Sequence, residues 1–162
     1  MDPRLRFGLS IALSFATWGL VAKYYFWPTL RSLPGRSAFR PILLLHSSRF
    51  VGLAFLVPGV VSPELPAAFA APAAYGDLIA ALLALTTLGL LETTVAPLFL
   101  WAFNVWGTAD LLYAYYQGVI AVGVEPGLLG AMYFVPTVIV PLLLVTHALA
   151  FGMLLVGPQR AA

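Results

Sequence analysis

The sequence predicts an all-α integral membrane protein, a bundle of about five transmembrane helices, and three observations carry that expectation. The 162 residues are 62% hydrophobic and 9% charged, whereas soluble domains are about one quarter charged. Mean hydropathy is +0.98. Apolar segments recur along the chain at about 20 residues each, the length that crosses roughly 30 Å of hydrocarbon. At that length plus short loops, residues 1–162 make a single helical bundle and leave no room for a second domain.

The first span is expected over 5–27. It ends in the aromatic belt Tyr24, Tyr25, Phe26 and Trp27, with Pro28 as its stop. Arg4 and Arg6 precede it as they would a signal peptide, but no small-x-small cleavage site follows, so it reads as a retained span. The second span is expected over 41–61, with Pro41 in its first turn and Pro58 near its exit. Residues 62–74 hold Pro63, Pro66 and Pro72 among alanines, which predicts an interfacial loop or short helix.

The third and fourth spans, 75–93 and 95–117, flank a break at Pro97. A single helix across both would be about 60 Å long at about 1.5 Å per residue, twice the hydrocarbon thickness, so a tight hairpin is expected. Ala80, Ala81, Ala84 and Gly89 in the third span predict close helix packing. The fifth span, 131–155, carries Pro136 and Pro141, which membrane helices tolerate when neighbours satisfy the freed carbonyls.

Charge predicts orientation. Lys23, Arg31, Arg36 and Arg40 lie around the first connection and Arg160 in the tail, against Arg4 and Arg6 at the start. The positive-inside rule then places the C-terminus in the cytoplasm and the N-terminus outside. Eight Lys/Arg against six Asp/Glu, with the positive residues beside spans, argue against a nucleic-acid partner. The chain has no cysteine, which excludes disulfides, thiol catalysis and Cys-ligated zinc or iron–sulfur clusters.

A few polar residues fall inside the predicted spans. His46 and Arg49 sit at i and i+3 and so share one face of the second span. Counted from Arg40, they lie about 9 Å and about 13 Å deep. A midplane charge costs a few kcal/mol, so that face is expected to turn inward, with Asp110 as first partner of Arg49 and Asp77 as second. Asn104 in the fourth span and His147 in the fifth come to depths of about 13 Å and about 12 Å. The plain reading of these residues is a structural ion pair and two hydrogen-bonded core histidines.

Two further readings give them a task. His46 and His147, on different helices at matched depth, are what bis-imidazole haem b ligation requires, with Arg49 to meet a propionate. Asp77 and Asp110 near the outer face, with the prolines of the fifth span as a hinge, fit a proton-coupled carrier. A zinc site is disfavoured, since the chain has two histidines and such sites take three or more protein ligands. Trp101, Phe103, Trp106, Tyr113, Tyr115 and Tyr116 are packing and belt residues that could line a pocket for a quinone, carotenoid or lipid tail. Glu92 is expected at a solvated turn.

Four stretches carry a family likeness: Leu45-His46-Ser47-Ser48-Arg49-Phe50-Val51-Gly52, Glu64-Leu65-Pro66 onward to Gly76-Asp77, Asn104-Val105-Trp106-Gly107-Thr108-Ala109-Asp110, and Pro136-Thr137 onward to Thr146-His147. Together they resemble a family of small, uncharacterised bacterial inner-membrane proteins. The chain departs from that pattern at Ala73-Ala74-Tyr75, where the family tends to have Gly-Gly-Trp. The resemblance implies a bacterial inner membrane and makes His46, Arg49, Asp77, Asn104, Asp110 and His147 family positions. It implies no activity.

The expected function is therefore non-catalytic: a binding or accessory subunit whose polar centre holds the head of a hydrophobic ligand or stabilises a larger membrane assembly. Its expected partners are membrane lipids and other membrane-protein subunits or a second copy.

Overall fold

The computed structural model describes residues 1–156; Arg160, counted above for orientation, lies outside the described residues. These residues are helical, with no strand among them. Five long helical segments follow in order: α1 (Pro3–Ser32), α2 (Gly35–Leu56), α3 (Ala67–Gly89), α4 (Ala96–Tyr116) and α5 (Val135–Val156). All except α4 are long and apolar enough to cross a membrane. With 21 residues α4 has the length, but Asn104, Thr108 and Asp110 make it more polar.

Several boundaries differ from expectation, and prolines explain most of the differences. Pro28 does not end the first helix; α1 continues to Ser32 because the turn before the proline, Ala22–Phe26, widens to a π turn. The Trp27 N–H bonds the Ala22 carbonyl five residues back. A wide turn moves the preceding carbonyls away from the pyrrolidine ring, which removes the clash that normally breaks a helix. The same device recurs in α5, where the π turn Val135–Ile139 leads into Pro141 and the Val140 N–H bonds the Val135 carbonyl. Pro141 lacks the N–H that the Pro136 carbonyl would take next, and the Tyr115 hydroxyl donates to that carbonyl instead at 2.6 Å.

Residues 62–74, expected as an interfacial loop or short helix, are helical from Ala67, as the first turns of a long helix. α3 begins at Ala67 and carries Pro72 in its interior. The alanines around Pro72 leave space for the ring, and the buried stripe Phe69, Ala70, Ala73, Ala74, Asp77, Ala80, Ala81, Ala84 runs through it without interruption. The second span ends at Leu56, earlier than the expected residue 61, and residues 57–66 form the connection. The hairpin between α3 and α4 is as expected, with exposed Glu92 at its turn paired to Arg40 at 2.7 Å.

α3 is the central helix, packed against α2 along its length and against α4; α5 packs on α4, and α1 lies outermost against α5. The small residues Ala80, Ala81 and Ala84 are buried at these contacts, while Gly89 is exposed. Beyond α4 a π turn (Gln117–Ala121) and a 3-10 segment (Pro126–Tyr133) cover one end of the bundle. That segment is tied to the α2–α3 connection by Ser62 N–H to the Leu128 carbonyl and Ala131 N–H to the Val60 carbonyl, each at 3.0 Å. Gly130 stands between them at φ +53°, against the Val60 carbonyl, where a side chain has neither the conformation nor the space.

Candidate functional site

The second half of α2, Ser48–Leu56, is a nine-residue 3-10 helix, long for that conformation. Three residues per turn bring every third side chain onto one line. Arg49, Gly52 and Phe55 are the buried residues of this segment, and buried His46 precedes them at the same interval. The local geometry thus aims imidazole and guanidinium together at α3 and α4.

Arg49 is completely enclosed, its side chain 1% exposed, and it holds both candidate acids. Its Nε donates to Asp77 Oδ1 at 2.7 Å and its Nη2 to Asp110 Oδ2 at 2.6 Å. Nη1 donates to the Gly107 carbonyl at 3.3 Å. Asp110 is a partner as expected, but Asp77 is one equally rather than a substitute. The planar guanidinium can serve two carboxylates and a carbonyl at once because its donors diverge in a fixed fork.

Three glycines provide the room. A side chain at Gly52 would lie 2.6 Å from Asp77 Cβ, one at Gly76 would lie 2.6 Å from Asp110 Cγ, and one at Gly107 would lie 2.5 Å from His147 Cε1 and 3.0 Å from Arg49 Nη1. α2, α3 and α4 therefore each give up a Cβ where a polar group of the next helix sits. None of the three was singled out from the sequence, although the three-residue interval His46, Arg49, Gly52, Phe55 was a readable signal for Gly52.

Below this ion cluster lies a second polar layer. The His46 and His147 rings stand 4.2 Å apart between centroids, and Phe103 packs 5.1 Å from each. Asn104 Nδ2 donates to the His147 carbonyl at 3.4 Å, which turns Oδ1 to accept from His147 Nδ1 at 2.6 Å. Thr146, missed in the sequence, donates its hydroxyl to the carbonyls of Leu142 and Leu143 and accepts from His46 Nε2 at 2.9 Å. In the neutral rings this assigns the bare nitrogens: His46 Nδ1 and His147 Nε2, both buried, have no partner among the described residues.

Haem ligation by this pair does not fit. Axial nitrogens on the two faces of a porphyrin stand about 4 Å apart at about 2 Å per metal bond, which puts ring centroids about 6 Å apart. At 4.2 Å the imidazoles leave no gap for a macrocycle. Nor do the described residues contain a group of three His, Cys, Asp or Glu placed to hold a metal ion.

Above the ion cluster is a cavity of about 270 Å³, bounded by α1, the ends of α2 and α3, the far half of α4, the 3-10 segment and the start of α5. Its walls are mostly apolar, among them Phe55, Phe69, Leu111, Leu129, Val135 and Val140. Asp77 and Asp110 form its polar end, while Arg4, bonded to Glu125, lies on its rim. The six expected site residues thus divide into two groups. Asp77 and Asp110 face the cavity, whereas His46, Arg49, Asn104 and His147 do not line it. Of the aromatic residues of α4, Tyr115 lines the cavity and Phe103 packs against the histidines, while Trp101, Trp106, Tyr113 and Tyr116 are on the outside.

Comparison with known families gives a match over residues 6–155 to the model described as Domain of unknown function (DUF8737). The chain belongs to this family. Both polar layers and every cavity wall except Arg4 fall within the residues matched. No curated protein and no solved structure matches the DUF8737 chain.

Proposed function

We propose that the chain is an integral membrane protein of the bacterial inner membrane, with the N-terminus outside, that binds a lipophilic ligand as a binding or accessory subunit. The observation that carries this reading is the apolar cavity closed at its deep end by the two carboxylates that hold Arg49. An apolar chamber with a few convergent polar groups is the usual form of a small-molecule site. At about 270 Å³ it lies just under the usual range of about 300–1,000 Å³, so it suits one short lipid or prenyl tail rather than a carotenoid. The apolar composition and four long apolar helices support the membrane assignment, and the basic residues near the first connection support the orientation.

The test is extraction and mass spectrometry of what copurifies with the detergent-solubilised chain. Asp110→Asn and Asp77→Asn are expected to deplete the bound molecule several-fold, because they change the groups at the cavity end, while His46→Ala loses less. Equal recovery from wild type and both carboxamide variants counts against the reading.

The bare His46 Nδ1 and His147 Nε2 favour a second reading, proton-coupled transport through the two polar layers. Two imidazoles in contact, beside a carboxylate–guanidinium cluster, are groups that pass protons. Proteoliposomes given a pH jump are then expected to acidify faster than empty vesicles, and His147→Ala to remove the excess. Flux no greater than from empty vesicles dismisses it.

A further inference from the structure

At the polar end of the cavity acidic groups outnumber basic ones. Two carboxylates share one guanidinium, and the other cation on the cavity wall, Arg4, is bonded to Glu125 at the rim. All three nitrogens of Arg49 are engaged, with Asp77, Asp110 and the Gly107 carbonyl, and the side chain is sealed from the cavity. An anionic head at that end would therefore meet the carboxylates, with the Arg49 guanidinium sealed behind them.

Each carboxylate, by contrast, spends one oxygen on Arg49 and keeps one. Asp77 Oδ2 lies over Gly52 and Asp110 Oδ1 over Gly76, and neither takes a hydrogen bond from a described residue. Both side chains keep about a tenth of their surface accessible, where Arg49 keeps almost none. Asp77 Oδ2 thus sits at the α2–α3 contact and Asp110 Oδ1 at the α3–α4 contact, and both side chains line the cavity.

Deepening the ligand-binding reading and resting on it, we propose that the ligand is a cationic amphiphile: a lipophilic amine whose ammonium group bridges Asp77 and Asp110 while its tail fills the apolar chamber. An ammonium group has three donors and no acceptor, and a positive charge that balances the cluster. A hydroxyl head can donate only once and leaves the charge as it was. Charge-assisted hydrogen bonds are about twice as strong as neutral ones, and burial within low-dielectric walls strengthens them further. Around the carboxylates, Arg49 from α2 bonds both, Tyr115 from α4 has its hydroxyl committed to Pro136, and Arg4 from α1 is bonded at the rim to Glu125, which precedes the 3-10 segment; His46 and His147 lie beyond Arg49 and do not line the cavity. None of them supplies a second free cation.

Decylamine, decanol and decanoate share a tail and differ in the head. Titrated into the full chain in nanodiscs, with empty nanodiscs subtracted, decylamine is expected to bind at least about ten-fold more tightly than decanol, about 1.4 kcal/mol. Decanoate is expected not to bind. Asp110→Asn should bring decylamine to the level of decanol and leave decanol unchanged, and Ala114→Phe, which fills the cavity wall, should abolish both. Equal binding of amine and alcohol overturns the cationic preference and leaves the cavity reading standing. Failure of both to bind the wild-type chain overturns the cavity reading itself. The comparison of heads is made on the wild-type chain, so its outcome does not depend on either variant folding.

Discussion

Replacing Arg49 with methionine is expected to cost about 3–5 kcal/mol of stability, the usual penalty for removing one partner of a buried ion pair. The loss is large because Arg49 pairs with two carboxylates rather than one, at 2.7 Å and 2.6 Å. Lysine at this position should recover only part of it, since a single ammonium point cannot span both acids and the Gly107 carbonyl as a fork does. The triple variant Arg49→Met, Asp77→Asn, Asp110→Asn removes the charges together and should regain most of the loss, because no uncompensated ion is then left buried. Heat or denaturant unfolding of the purified chain measures all three. A methionine variant within about 1 kcal/mol of wild type, the range of surface ion pairs, means that the cluster does not hold the helices together.

Gly107→Ala is expected to be the second most damaging single change. Its new methyl would lie 2.5 Å from His147 Cε1 and 3.0 Å from Arg49 Nη1, so both polar layers must move at once. Overpacking alone costs typically about 1–3 kcal/mol, and displacing the buried guanidinium adds to it. Gly89→Ala is the control: it is also in a helix, with nothing within 4 Å of the added methyl. There alanine should be neutral or stabilising by up to about 1 kcal/mol, from helix propensity. Unfolding midpoints compare the pair directly, and similar midpoints for the two variants would show that the space at Gly107 is not needed.

The polar residues were legible because they are rare. In a chain 62% hydrophobic, an arginine, two aspartates and two histidines inside predicted spans identify themselves by cost alone. The pairing of Arg49 with an acid followed from that cost, and so did burial of His46 on the same face. What was not legible was the division of labour. Matched depth suggested a shared cofactor for His46 and His147, but depth is one coordinate, and the 4.2 Å between the ring centroids depends on how α2 and α5 cross. The glycines were silent for a related reason: a missing Cβ matters only when something occupies its place, and what occupies it comes from another helix.

Prolines misled in a consistent direction. Pro28 and Pro72 were read as breaks, yet both lie within continuous helices. A local rule prices the lost N–H and the ring clash, and cannot see that a π turn before Pro28, or small neighbours around Pro72, lower that cost. Tyr115 capping the Pro136 carbonyl is such a compensation from a distant part of the chain.

By itself, then, the sequence determined the helical class, the apolar segments and the short set of charged and polar residues that must face inward, because composition and periodicity respond to the environment one segment at a time. Only the tertiary structure decided which of those residues touch each other, which two reach the cavity, and where a missing side chain makes room, because each of these depends on the distance between helices that no single segment encodes.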